Sequence, residues 1–295
     1  MKKKFIVLLS ITALSAQLLT GCGTKTETSK DTVKTTEAVA STTVAATENA
    51  KSDKGLKVIK IGADITPHTE ILKFVEPLLE KKGVKLEITT TDQGTVLNEE
   101  VANGDLEANY FQHLPYLESV NKEKGYDLVS AGAIHVEPIG LYSQKYQSID
   151  KLPDGAKIAI PDNASNEYRA LKLFEDNGLI KLSKDHANYE ATPDDITDNP
   201  HKYTFQEISA DELVRTLKDV DAAVINTNFV LDAGIKTDSA LIRESSHSDY
   251  GNIIVVKKGN ENSPEIKTLI QTLQSPEVAK FIKDTYGTAV IPAWQ

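Results

Sequence analysis

The chain of 295 residues carries a formal net charge of −10 at pH 7, and 40% of its residues are hydrophobic. An acidic protein of this kind is not expected to bind nucleic acid or to lie flat on an anionic membrane, because both surfaces repel negative charge. Its single cysteine excludes a disulfide within the chain, so the folded part must rely on its hydrophobic core. The length is sufficient for one large domain or two lobes.

Residues 1–21 have the form of a secretory signal peptide. Three lysines precede an apolar run from Phe5 to Leu19, which is too short for an ordinary membrane span. The run leads into Leu-Thr-Gly-Cys, which resembles a bacterial lipobox, in which the cysteine is acylated and becomes the first residue of the exported chain. A free or buried thiol is the weaker interpretation of Cys22. We therefore predict a lipoprotein anchored on the extracytoplasmic face of the cell membrane.

Residues 22–56 predict a disordered tether that begins at the lipidated cysteine. The segment is rich in Thr, Ser, Ala, Lys and Glu, and it contains no aromatic residue and no repeating apolar face. Such a composition cannot bury enough apolar surface to offset the entropy of the chain. We expect the tether to let the folded part stand off the membrane and reorient.

Strands alternate with helices from Lys57 to the C-terminus. Strand spacing of apolar residues occurs at 57–62, 84–88, 157–161, 222–225 and 253–256, and helical spacing at 70–82, 162–177, 266–273 and 276–286. This order predicts α/β architecture with largely parallel sheets. The sequence has no Gly-rich phosphate loop, Gly-x-Ser-x-Gly elbow, Cys-x-x-Cys pair or His-Glu-x-x-His helix, which is modest evidence against an enzyme.

The segment Gly104–Leu117 is the most informative stretch of the chain. Alternating residues predict a strand over 106–110, and Pro115 is placed where a helix can begin. Between the strand and the helix the chain presents Phe111, Gln112, His113 and Tyr116. They form an aromatic platform with polar tips just past a strand end, where open α/β sheets bind ligands. Packing in the core is an equally good interpretation of this segment taken alone.

Arg169 is the sharpest single candidate for a binding residue. We expect it in the first turn of a helix that follows Pro161, where a cation is unfavourable unless an anion shares the site. A guanidinium beside backbone N–H groups would form a carboxylate receptor. The alternative is an arginine that faces solvent or pairs with Glu167. Asn226 and Asn252 stand at the ends of buried strands, where amides can bind carboxylate or ammonium groups, although asparagine also serves turns.

Four histidines raise a metal site as an alternative function. They are His68, His113, His135 and His247. They could converge on zinc or manganese with nearby carboxylates, but their spacing matches no compact metal motif, so we expect separate polar contacts and no bound metal or cofactor. For an enzyme the candidates would be Asp92, Asp105 and Glu107, whose spacing sets no mechanism.

The sequence resembles the methionine-binding lipoproteins of the MetQ/NlpA type from about Lys57 to the C-terminus and in the lipobox. The resemblance is carried, in order, by Gly104–Leu117, His135–Pro138, Ile160–Leu171, Asn177–Leu182 and Ala223–Thr227. It implies a two-lobed periplasmic-binding-protein fold of type II with a hinge. Lobe one would hold 57–142 and 249–295, and lobe two 143–248. In this family an amino acid binds between the lobes and passes to the permease of an ABC importer, and no catalysis is implied.

The resemblance also gives each site residue an expected role. Arg169 looks like the residue that pairs with the ligand carboxylate, and Asn226 and Asn252 look like the amides that hold its α-amino and carboxylate groups. By the same resemblance, the wall around the thioether side chain would be formed by Phe111, His113 and Tyr116. Asn166 would help to shape the loop that carries Arg169. Aromatic rings beside a soft, polarizable sulfur suit a methionine side chain.

Two departures from the family pattern bear on the ligand. Gly94 stands where we expect an aromatic residue, and Glu167 and Tyr168 precede Arg169 where the family more often has small residues. Because the family includes binders of D-methionine, methionine derivatives and short peptides, a missing aromatic ring could make room for one of these. We expect methionine, a close derivative or a methionine-containing dipeptide as ligand, a permease as partner, and a monomer. A zinc- or manganese-binding lipoprotein stays as the alternative.

Overall fold

A computed structural model describes residues 55–185, 189–245 and 248–294 of the chain. The predicted signal peptide, Cys22, nearly all of the tether and His247 lie outside these ranges. Within them, no helix combines the length and the apolar character needed to span a membrane.

The described residues form thirteen strands and eight α-helices. The strands are β1 Lys57–Asp64, β2 Val84–Thr91, β3 Ala108–His113, β4 Leu128–Val136, β5 Gly140–Tyr142, β6 Lys157–Pro161, β7 Lys181–Leu182, β8 Ile196–Asp198, β9 Thr204–Ile208, β10 Ala222–Ile225, β11 Ile242–Arg243, β12 Gly251–Lys257 and β13 Ile291–Pro292. The helices are α1 Glu70–Glu80, α2 Leu97–Asn103, α3 Leu114–Lys124, α4 Ala164–Asp176, α5 Leu213–Thr216, α6 Thr227–Asp232, α7 Pro264–Leu273 and α8 Pro276–Tyr286. The predicted alternation of strands and helices is confirmed.

The first half of the fold is built on a six-stranded sheet with the order β13-β4-β12-β3-β1-β2. Helices cover both faces, as β12 makes clear, since Ile254 and Val256 pack in one core cluster and Ile253 and Val255 in another. Successive strand residues point to opposite faces, so a strand covered on both sides reads as a continuous apolar run. This explains the run at 253–256.

The second half is built on a five-stranded sheet with the order β11-β5-β10-β6-β9. Helix α4 packs on one face through Phe174, which is fully buried among aliphatic residues of β6 and β10. The other face carries a separate cluster around Leu213 and Val230. The short strands β7 and β8 pair only with each other.

Parallel pairing is confined to part of each sheet, so the expectation of largely parallel sheets is wrong. β1 pairs in parallel with β2 and β3, and β6 with β9 and β10. The remaining pairs in these two sheets are antiparallel: β12 with β3 and β4, β13 with β4, and β5 with β10 and β11. The antiparallel strands β4, β5, β11 and β12 flank the segments 137–139 and 244–250, by which the chain passes between the sheets.

The strand pairing bears on the division into lobes. β5 belongs to the five-stranded sheet, although residues 57–142 were assigned to lobe one. The predicted lobe boundaries stay a prediction, and the two connecting segments 137–139 and 244–250 are the places where the chain changes sheets.

Candidate functional site

A cavity of about 300 Å³ is lined by residues from both halves of the fold. All seven residues predicted to bind the ligand line it: Phe111, His113, Tyr116, Asn166, Arg169, Asn226 and Asn252. The volume is at the lower end of the range for small-molecule sites. The structure thus brings the predicted residues together, and their individual roles in binding stay predictions.

Strand ends deliver most of these side chains to the cavity. β3 ends at His113, β6 ends at Pro161 shortly before α4, and Asn226 follows β10 directly. Because β6 and β10 are parallel, their carboxyl ends meet at one edge of the sheet, which is the usual place for a ligand in such folds. Asn252 reaches the cavity from β12, where it is paired with His113 and His135.

The position of Arg169 in its helix differs from the prediction. Asn163 is the N-cap of α4, and its Oδ1 accepts the backbone N–H of Asn166 at 3.2 Å. Arg169 is the sixth residue after this cap, so it lies in the second turn of α4 rather than in the first. The influence of the helix dipole falls off within the first turn, so it bears on Asn166 more than on Arg169.

The guanidinium of Arg169 is buried and held by acceptors from both connecting segments. Nε donates to Glu244 Oε1 at 3.1 Å, and Nη2 donates to Glu244 Oε2 and to the backbone oxygen of Glu137 at 2.8 Å. The Tyr250 ring lies 4.3 Å from the guanidinium carbon. Nη1 has no hydrogen bond to a residue of the described ranges, unlike Nε and Nη2.

Neither alternative that the sequence offered for Arg169 is correct. Its side chain is 4% exposed, and its carboxylate partner is Glu244 rather than Glu167. Glu167 shares a hydrogen bond with Glu207, and burial together with that acid raises the pKa of Glu167 to about 7. No sequence signal pointed to Glu244, which is 75 residues away from Arg169.

Asn166 joins the two halves of the fold beside the arginine. Its Oδ1 lies 3.0 Å from His113 Nε2 and 3.0 Å from the donor Nδ2 of Asn226. His113 Nδ1 accepts the backbone N–H of Tyr116 at 3.2 Å, so Nε2 carries the proton and donates. Burial and the nearby Arg169 lower the pKa of His113 to about 3, which keeps the ring neutral. Oδ1 of Asn226 is buried without a hydrogen-bond partner in the described part of the chain, and it can accept an ammonium group.

Three buried groups next to Asn252 form a second polar cluster. His68 Nε2 lies 3.2 Å from Asn252 Oδ1 and 3.5 Å from Glu137 Oε1, and His135 Nε2 lies 2.6 Å from the same Glu137 oxygen. The other nitrogen of His135 is hydrogen-bonded to the Tyr110 hydroxyl. Burial lowers the pKa of His135 to about 3 and that of His68 to about 4, and burial raises the pKa of Glu137.

The prediction that the histidines make separate polar contacts is wrong for His68 and His135, because both lie beside the same oxygen of Glu137. One atom from each of His68, His135 and Glu137 lies within 4.8 Å of the others, which is compatible with a metal ion. His113 is engaged with Asn166 and does not join them. Within the cluster, only Nδ1 of His68 lacks a hydrogen bond to a described residue. The hydrogen bonds account for the cluster as a network that fixes Asn252.

Comparisons with known proteins identify the family of the chain. The NlpA lipoprotein family model matches residues 59–294. The chain belongs to the NlpA lipoprotein family. It is 39% identical to the methionine-binding lipoprotein MetQ of Bacillus subtilis over 83% of this chain and 91% of the relative. Both the resemblance and the predicted substrate-binding-protein fold are confirmed.

Two solved structures extend the comparison. A nutrient binding protein from Burkholderia cenocepacia bound to methionine has 41% identity and a TM-score of 0.77, covering 80% of this chain and 100% of that chain. A periplasmic substrate-binding protein of an ABC transporter from Coxiella burnetii has 39% identity and a TM-score of 0.76, with the same coverage. The MetQ-type fold of this NlpA lipoprotein is therefore shared with proteins of known architecture.

Gly94 does not open space in the cavity of this NlpA lipoprotein. A Cβ atom at this position would lie 2.5 Å from the Phe111 ring and 2.6 Å from Asp64 Oδ1, far inside ordinary contact distance. Phe111 and Asp64 already fill the volume that a side chain at 94 would need. The expectation that a missing aromatic residue enlarges the cavity is wrong.

Buried neutral histidines should make this protein less stable in acid. His68, His113 and His135 have pKa values of about 3 to 4 in the folded state, below the ordinary value of 6.5. As the pH falls from 6.5 towards 4, the unfolded chain takes up protons that the folded chain does not, so each histidine lowers the free energy of unfolding by up to about 1.4 kcal/mol per pH unit. The raised pKa values of Asp64 and Glu137 act in the opposite direction.

We expect His113→Asn to reduce the dependence of stability on pH by up to about 1.4 kcal/mol per pH unit between pH 4 and 6.5. Asparagine retains an acceptor at this N-cap position but does not titrate. Urea unfolding at several pH values measures the slope, and His201→Asn is the matched control because the His201 side chain is 44% exposed. A slope equal to that of the wild type in His113→Asn would contradict the assignment.

Proposed function

We propose that this NlpA lipoprotein binds methionine, or a close derivative or methionine-containing dipeptide, between two lobes and delivers it to the permease of an ABC transporter. The observation that carries the proposal is the shared cavity, where a buried arginine, two asparagines and an aromatic wall meet. The Bacillus subtilis relative named as methionine-binding and the Burkholderia cenocepacia neighbour bound to methionine support it. Transport binding of this kind needs no catalytic step.

The polar receptor is assigned from the unused hydrogen-bonding atoms. Arg169 offers Nη1 to the ligand carboxylate while Glu244 holds the planar guanidinium in place. Asn226 Oδ1 accepts a hydrogen bond from the α-ammonium group of the ligand. Asn252 forms hydrogen bonds with the main-chain polar atoms of the ligand that Arg169 and Asn226 leave unpaired. The aromatic residues of the cavity wall exclude water and contact the thioether.

Closure of two lobes around the ligand completes the proposed mechanism. One lobe holds the six-stranded sheet and the other the five-stranded sheet. The described residues of the connecting segments, 137–139, 244–245 and 248–250, act as the hinge. Glu137 and Glu244 lie on these segments, and both hold Arg169. Movement at the hinge is thereby coupled to the carboxylate receptor. The protein acts as a monomer in this proposal.

Arg169→Ala is expected to weaken methionine binding by well over tenfold. Loss of a charged hydrogen-bond donor to the ligand costs on the order of 1.5–3 kcal/mol. Isothermal titration calorimetry measures the affinity, and Arg215→Ala removes an arginine at an exposed position as the matched control. Equal affinities for the wild type and Arg169→Ala would remove the basis of the proposal.

The proposed anchor predicts that Cys22→Ser abolishes attachment to the membrane. Serine cannot form the thioether through which a lipobox cysteine is lipidated, so the variant should appear in the soluble extracellular or periplasmic fraction. Fractionation followed by intact-mass measurement checks both location and lipid. Recovery of the Cys22→Ser variant in the membrane fraction at the wild-type level would argue against lipid anchoring.

The alternative of a zinc- or manganese-binding lipoprotein rests on the cluster of His68, His135 and Glu137. Because these groups are already linked by hydrogen bonds, we expect elemental analysis of freshly purified protein to find far less than one metal per chain. Stoichiometric zinc or manganese that is lost in His135→Asn would instead favour the alternative.

A further inference from the structure

Asp64 is a buried carboxylate that the proposed amino-acid receptor does not use. It ends β1, lines the cavity, and is 6% exposed. Its Oδ2 accepts a hydrogen bond from Asn228 Nδ2 at 3.1 Å, whereas its Oδ1 is buried without a hydrogen-bond partner among the described residues. Leaving a buried acceptor unsatisfied is costly, so such an atom in a binding cavity points to a donor on the ligand.

The surroundings of Asp64 are acidic. Burial raises its pKa well above the ordinary value, and the charges of Glu137, Asp232 and Asp92 raise it further. Only the hydrogen bond from Asn228 acts in the opposite direction, and none of the described groups that shift this pKa is a cation. The cavity arginine is occupied by its own carboxylate partner. No described residue thus supplies Asp64 with a counter-ion, so its carboxyl group favours the neutral form until a cation binds beside it.

The unpaired oxygen lies beside the aromatic wall. Asp64 Oδ1 and the Phe111 ring both come within 2.6 Å of the position that a Cβ atom at Gly94 would take, so they border the same small volume. Two other cavity-lining residues have a buried atom without a partner in the described ranges, His68 Nδ1 and Asn226 Oδ1. His68 belongs to the cluster with Glu137, and Asn226 is hydrogen-bonded to Asn166 beside His113. With Asn226 serving the α-ammonium group, Asp64 is left for a donor on the ligand side chain.

We propose that Asp64 is a specificity-determining residue that accepts a hydrogen bond from the ligand side chain, so that the cavity also binds amino acids of methionine's length whose side chain ends in a protonated amine. The inference rests on the proposed function, since it assumes that Arg169 and the asparagines bind the amino-acid main chain. It extends the range of ligands from the thioether to a cationic side chain.

Three ligands with equally long side chains test this inference. L-methionine ends in a methyl thioether, and L-norleucine has a methylene in place of the sulfur. L-ornithine has the norleucine side chain with an ammonium group in place of the terminal methyl. Calorimetry of each with the wild type should show ornithine binding. Asp64→Asn should weaken ornithine binding by about tenfold or more, because a charge-assisted bond is lost, while methionine and norleucine bind at least as tightly as before.

Asp232→Asn is the matched control. It removes the same charge from the neighbourhood of Asp64, but Asp232 does not line the cavity, so a change of less than about threefold for ornithine is expected. An equal effect of both variants would assign the result to the general electrostatic field and overturn the direct contact. Asp64→Ser provides a second neutral variant if the asparagine variant fails to fold.

Failure of the inference can be told apart from failure of the proposed function. In one outcome, the wild type binds methionine but not ornithine, and Arg169→Ala loses methionine binding. This outcome overturns the role of Asp64 and leaves the proposed amino-acid receptor intact. Equal weakening of all three ligands by Asp64→Asn also overturns it, because the residue would then act on a shared group. If none of the three ligands binds, both proposals fail.

Discussion

The buried guanidinium of Arg169 is the constraint on which the cavity depends. A charge that is 4% exposed must be paired, and the pairing comes from Glu244 and from the backbone oxygen of Glu137. Both acceptors lie on the segments that connect the two sheets. The residues that connect the two halves of the fold therefore also balance the buried charge in the cavity. A ligand carboxylate would add a second negative group beside a cation that Glu244 already neutralises. Binding of that carboxylate therefore depends on whether it can reach Nη1, the guanidinium nitrogen that Glu244 and Glu137 leave unused.

Next to this pair, the proposed receptor for the amino-acid main chain consists of neutral groups. His113 is kept uncharged by burial and by the arginine, and its tautomer is fixed by the backbone of Tyr116. Asn166 then accepts from His113 and Asn226 through a single oxygen. Neutral hydrogen-bonding groups of fixed orientation can distinguish a zwitterion from other solutes without placing further uncompensated charge in a buried site.

Local sequence patterns predicted helices and strands, which depend on residues close together in the chain. They did not predict contacts between residues that are far apart in the chain. Pro115 correctly marked the start of α3, and the apolar runs correctly marked β6, β10 and β12. The ion pair between Arg169 and Glu244 depends on how the two sheets are connected, and the periodicity of apolar residues gives no information about that connection. The antiparallel pairing of the strands beside the connecting segments was not predicted, for the same reason. Family resemblance identified the cavity residues, yet the filling of space beside Gly94 by Phe111 required coordinates.

The close approach of Gly94 to Phe111 makes these two positions a single steric unit. A larger residue at 94 needs space that the Phe111 ring and Asp64 Oδ1 now occupy, so the effects of changes at 94 and 111 will not be additive. Protein engineers who wish to reshape the cavity should treat the pair as one variable in their libraries.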